Sequence, residues 1–157
     1  MIKGVELNNK LNIKIDEISE ILDITPPFLM LTEALNSGDM KKLEGIQEVK
    51  NFSWCTNSHL LRQPVFPATL LMEGMLQTMV LLIYLSYEHK NNYSFVKNIN
   101  FKIFKSIAST DKITHIAEII SFRRGIINGF INSFVEANKV AQCEVIYASP
   151  SLFYKSN

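Results

Sequence analysis

The run from Pro67 to about Tyr87 carries apolar residues at every helical angle: Leu70, Leu71, Met72, Met75, Leu76, Met79, Val80, Leu81, Leu82, Ile83, Tyr84 and Leu85. A helix that is apolar all round has to be buried all round. Spanning a bilayer takes roughly 20 apolar residues, and Glu73, Gly74 and Gln77 interrupt this run near its start. The run is therefore expected as the core helix of a folded domain and not as a membrane span. Such a helix must be surrounded, and the remaining sequence offers mainly strands. Phe95 to Phe104 is rich in β-formers and aromatics, and Lys112 to Phe122 alternates in part. Ile126 to Val135 and Lys139 to Tyr147 are separated by the turn Glu136-Ala137-Asn138. One long buried helix among antiparallel strands requires an α+β arrangement in which the sheet curls around the helix.

Upstream, Asp16 to Leu22 reads as a short amphipathic helix with acids in its first turn, ending before Pro26-Pro27 because a residue preceding proline leaves the helical region. Phe28-Leu29-Met30-Leu31 reads as a strand, Asn36-Ser37-Gly38-Asp39 as a turn, and Leu43 to Phe52 as a returning strand. At 157 residues, 47% hydrophobic and 20% charged, the chain is expected to form one globular domain over residues 1–157. A formal net charge of +1 gives no reason to expect nucleic acid or a membrane surface as partner. Met1 to Glu6 lacks the apolar run of a secretion signal, which points to the cytoplasm and to reduced thiols at Cys55 and Cys143. With no CxxC, no His/Cys cluster and no Gly-rich loop before a helix, neither a metal nor a cofactor is expected.

Two residues around the start of the long helix carry chemistry. His59 stands in the loop Ser58-His59-Leu60-Leu61-Arg62-Gln63-Pro64-Val65-Phe66-Pro67, and Glu73 follows inside the apolar helix. Imidazole ordinarily titrates near neutrality and suits a general base. A carboxyl in an apolar setting favours its neutral, proton-donating form. Each has a plainer reading: a loop histidine on the surface, and a glutamate held by Gln77 or by backbone. The fourteen residues between them include a non-helical proline loop, so spacing alone does not bring them together. His89 and His115 are read as surface groups, and Met72, Met75 and Met79 as core filler.

His59, Pro64, Pro67, Glu73 and Gln77 fall at the spacings of a known signature: Gly-His-Phe-Pro-Gly, then Pro-x-x-Pro-Gly, then a helix with Glu and a later Gln. With Ile15-Asp16-Glu17-Ile18, Pro27-Phe28-Leu29, Phe104-Lys105, Asp111, Arg123-Arg124-Gly125-Ile126 and Val140-Ala141 through Glu144, the chain resembles the β-hydroxyacyl-acyl-carrier-protein dehydratases of bacterial fatty acid synthesis. The likeness runs from about residue 15 to residue 148. It implies a hot-dog fold, a curved antiparallel sheet wrapped around one long buried helix. It also implies a cofactor-free hydro-lyase that removes water from a β-hydroxyacyl thioester. His59 and Glu73 become the catalytic pair, and Gln77, Pro64 and Pro67 support it. The resemblance further implies a homodimer or higher even oligomer, with His59 of one subunit meeting Glu73 of the other. A loop amide that binds the enolate oxygen maps to Arg62. Acyl carrier protein, with its phosphopantetheine-linked acyl group, is the implied partner, and Lys97, Lys102, Lys105, Arg123 and Arg124 are either its docking surface or a solvated sheet face.

The frame of the signature is rewritten. Ser58, Leu60, Leu61 and Arg62 stand where the family has glycines and Phe-Pro, Ala68 replaces a glycine, and Ser109-Thr110 replaces a Pro-Gly turn. This marks a divergent member with a different acyl substrate or pathway. The alternatives within the same fold are an acyl thioesterase, in which the helix carboxylate activates water, and a non-catalytic acyl-binding subunit.

Overall fold

The computed structural model describes residues 11–87 and 94–149. Strand β1 (Leu11–Lys14) runs directly into helix α1 (Ile15–Leu22), followed by β2 (Glu33–Asn36) and β3 (Lys42–Glu48). A 3₁₀ turn (Val49–Phe52) and the short helix α2 (Ser53–Thr56) lead into the His59 loop and the 20-residue helix α3 (Ala68–Tyr87). Four long strands follow: β4 (Phe95–Ile103), β5 (Lys112–Arg123), β6 (Ile126–Val135) and β7 (Asn138–Ala148). All seven strands form one sheet, in the order β1-β2-β3-β5-β6-β7-β4, and every pairing is antiparallel.

α3 packs on β3, β5 and β6, and α1 also packs against it. Leu71, Met75, Met79, Leu81, Leu82 and Ile83 are wholly buried, so the helix expected in the core lies there. One stripe stays partly open: Glu73, Val80 and Tyr84 are half-buried. The strands meet α3 by the period-2 rule, β6 burying Ile127, Gly129, Ile131 and Ser133 on its helix side. Close approach of helix to sheet depends on missing side chains. A Cβ on Gly129 would stand 2.4 Å from Met79 Cε, and one on Gly45 2.4 Å from Thr78 Oγ1.

The hairpins follow backbone chemistry. Arg124 and Gly125 both have positive φ, 48° and 71°, which gives the two-residue loop between β5 and β6 the twist of a type I′ turn. The loop between β6 and β7 is Glu136-Ala137, with Glu136 at φ 53° and Val135 paired to Asn138.

α1 ends at Leu22 as expected, and what ends it is Asp23, which turns left-handed (φ 56°) and caps onto the Ser19 carbonyl ahead of the prolines. Two upstream expectations are corrected. The region 43–52 is a strand only to Glu48, then a 3₁₀ turn. Phe28 to Leu31 is not a strand. The Gln77 side-chain amide takes the place of a neighbouring strand, accepting from Met30 N–H at 2.8 Å and donating to the Phe28 carbonyl at 2.9 Å.

Candidate active site

The His59 loop is pinned at both ends and open at its tip. Phe52 and Phe66, both buried, pack in a tilted pair with centroids 5.7 Å apart, and Phe66 N–H donates to Ile107 O at 2.9 Å. Between them Gln63 N–H closes a turn on Leu60 O at 2.8 Å, with Leu61 and Arg62 at its centre. Leu60 sits at φ 52°, a conformation that costs a leucine more than a glycine. Leu60, Leu61, Arg62 and Pro64 are exposed.

His59 itself is half-buried, and its Nδ1 lies 3.0 Å from Val65 O. A carbonyl oxygen only accepts, so Nδ1 carries the hydrogen, and in the neutral tautomer the lone pair lies on Nε2. The Val65 contact thus fixes the orientation of the imidazole in the loop.

Glu73 occupies the second turn of α3. Pro67 O accepts from Leu70 and Leu71 N–H, both at 3.1 Å, and opens the helix. One turn beyond Glu73, Gln77 donates to Glu73 Oε1 at 2.9 Å while its other amide contacts go to Met30 and Phe28. All three contacts agree on a single amide orientation. The reading of Glu73 as held by Gln77 is therefore realised, and so is a chemically available carboxyl. Glu73 is half-buried rather than buried, and it lines a groove of about 240 Å³ with Leu76, Gln77, Val80, Tyr84 and Tyr147. Tyr147 donates to Leu76 O at 3.2 Å; burial first, then the charge of Glu73, hold its phenol well above the ordinary range. Among the described residues His59 and Glu73 share no hydrogen-bond partner, and His59 is not among the residues lining this groove.

One histidine was misassigned. His115 is fully buried on β5, whereas its sequence neighbours suggested a surface group; His89 lies outside the described residues. The missed signal was alternation: Ile113, His115, Ala117 and Ile119 all point inward. His115 Nδ1 meets Ser133 Oγ at 2.8 Å and Nε2 meets Gln47 Oε1 at 2.9 Å. Burial pushes its pKa down from 6.5 to about 3. Folding therefore keeps this ring neutral while the unfolded chain protonates it, and the stability it contributes is intact above pH 6.5 and is lost as pH falls toward 3. Denaturant titrations between these limits should show wild type losing about 1.4 kcal/mol more per pH unit than a His115→Leu variant. Parallel curves would refute a buried neutral ring.

Cys55 and Cys143 are both buried free thiols, with Cys143 pushed up to about 11 by burial and then by Glu144. Among the described residues no group of three or more His, Cys, Asp or Glu side chains is arranged to hold a metal ion.

One long core helix on a seven-stranded antiparallel sheet defines a hot-dog fold. Solved structures agree: a mutant thioesterase from Pseudomonas aeruginosa superposes with TM-score 0.67 at 11% identity, covering 87% of this chain and 94% of that one. A thioesterase from Haemophilus influenzae gives TM-score 0.66 at 14% identity, covering 92% and 96%. The model of the FabA-like domain matches residues 24–144, and the chain belongs to that family. Among curated relatives, 3-hydroxyacyl-(acyl-carrier-protein) dehydratase FabZ of Listeria monocytogenes serotype 4b is 27% identical over 139 residues, 88% of this chain and 96% of the relative. The FabZ of Actinobacillus pleuropneumoniae serotype 5b is 25% identical over 150 residues, 92% and 97%.

Proposed function

We propose that the chain is a hydro-lyase acting on β-hydroxyacyl thioesters carried by acyl carrier protein. The observation that carries the reading is a groove-lining Glu73 held by Gln77, in a chain that also fixes the His59 ring through Val65 O. His59 Nε2 takes the proton from the carbon beside the thioester carbonyl. The electron pair moves onto the thioester oxygen as an enolate, whose collapse forms the carbon–carbon double bond as the bond to the β-hydroxyl breaks, and Glu73 supplies the proton that lets this hydroxyl leave as water. The Arg62 N–H, near the middle of the exposed turn, is the donor assigned to the developing enolate oxygen. The likeness to FabZ dehydratases, over 88% and 92% of the chain, supports the same chemistry.

Incubation with a panel of β-hydroxyacyl and enoyl thioesters on carrier protein, read by mass, tests this. Loss or gain of water supports it. Free thiol without enoyl product means a thioesterase, and intact bound thioester means a binding subunit.

His59 and Glu73 are assigned to one site built from two subunits. β4 supports this, because it is a sheet edge with Phe95, Val96 and Ile103 exposed, a strand that a second copy would cover. Mixing inactive His59→Ala and Glu73→Gln proteins under subunit exchange should restore about a quarter of wild-type activity, since half the dimers then hold one intact site of two. Confirmed exchange without recovery would place each site within one chain.

A further inference from the structure

Beneath the turn of α3 that carries Glu73 lies a chain of polar side chains that the proposed chemistry does not use. Ser133 on β6, His115 on β5 and Gln47 on β3 are each 0% exposed. Their protons are fixed by one boundary condition. Gln47 Nε2 reaches Leu70 O at 3.4 Å, and a carbonyl only accepts, so Gln47 Oε1 faces His115. His115 Nε2 must then donate to Gln47, and His115 Nδ1 accepts from the Ser133 hydroxyl. The row therefore runs from three neighbouring strands into the helix with each link bonded.

It ends against Gly74, the residue next to Glu73. A Cβ there would stand 2.4 Å from Gln47 Oε1 and 2.8 Å from His115 Nε2. The helix backbone thus rests directly on the pair, touched at Leu70 and at Gly74 on either side of Glu73.

Three buried polar side chains are a poor choice for stability. Replacing a fully bonded buried network by apolar groups of similar shape is commonly neutral or better, while breaking it halfway is costly. What directional bonds add over apolar contact is a defined distance and angle.

We infer that His115, Gln47 and Ser133 are positioning residues, a strut that sets the height and rotation of the Glu73 turn over the sheet. This rests on the reading of Glu73 as an acid that must meet the substrate hydroxyl. Misplacement of a catalytic group by about 1 Å costs up to about 10²-fold in rate.

The test is the fully apolar replacement Gln47→Met, His115→Leu, Ser133→Ala, which leaves no half of the network stranded. Once folding has been verified by thermal melting, kcat should fall by about ten-fold or more with KM within about two-fold, because substrate contacts are untouched. A folded triple variant with wild-type kcat overturns the strut. If the triple variant does not fold, Ser133→Ala decides against a matched control, Ser86→Ala, which removes a buried hydroxyl bonded to Met40 O further along α3. Ser133→Ala should lower kcat by about three-fold while Ser86→Ala leaves it unchanged; equal kcat in the two overturns the inference. Wild-type protein that turns over none of the thioesters ends the functional reading and this inference together, whereas an active wild type beside an unaffected variant ends the strut alone.

Discussion

His59→Ala and Glu73→Gln should each lower turnover of a β-hydroxyacyl thioester by about 10²–10⁴-fold, the usual contribution of a general acid or base. Neither change should unfold the protein. His59 is half-buried in a loop whose ends are held by Phe52 and Phe66, and Ala removes only its bond to Val65 O. Gln at 73 keeps an acceptor oxygen for the Gln77 amide at the same position on the helix. The losses should appear in kcat, since each group is assigned to a proton transfer and not to holding the thioester. A further distinction separates the two roles. Glu73→Gln removes the proton given to the leaving hydroxyl but leaves the base, so exchange of the substrate's α-proton with deuterated solvent should persist in that variant and vanish in His59→Ala. Wild-type rates in both variants would sink the mechanism.

The long helix was legible because its apolar residues face every direction, which only a core position satisfies. Strand β6 was legible to its ends because apolar residues alternate between two clear turns. Phe28 to Leu31 shows where such reasoning stops. Its composition is that of a strand, yet its backbone groups are paired by a side-chain amide 47 and 49 residues away, and no local pattern announces that. β1 was missed for a related reason, being four residues in which Asn12 and Lys14 flank the buried Ile13. At the site, residue types offered His59 and Glu73 with a plainer reading beside each, and the family resemblance added Gln77 as their support. The tautomer of His59 was not legible, because it depends on the Val65 carbonyl folding back across six residues. His115 was available from alternation alone, and its polar neighbours in sequence, Thr114 and Lys112, drew attention away from the apolar series on its own face.

Gln77 is where fold and site join, and Gln77→Leu should cost about 3 kcal/mol of stability, since the buried Met30 N–H loses its partner and an unsatisfied buried group costs about 1–3 kcal/mol. Met30 is 0% exposed, so no water replaces the lost oxygen there. For a chain of this size the melting temperature should drop by roughly 6–12 °C. Activity should fall as well, because Glu73 loses the donor that orients it. Gln77→Glu separates the two effects. Its carboxyl can still accept from Met30 N–H, but when ionised it faces the Phe28 carbonyl and the Glu73 carboxyl with no proton to offer. The folded protein should therefore retain the proton on this variant carboxyl after the unfolded chain has lost its own near pH 4.3. Relative to wild type, stability then falls as pH rises above about 4.3 and levels off once the folded protein also ionises. Denaturation curves for the two proteins at several pH values read this directly. A constant difference across pH would mean that the contacts of Gln77 with Glu73 and Phe28 do not hold this turn of α3.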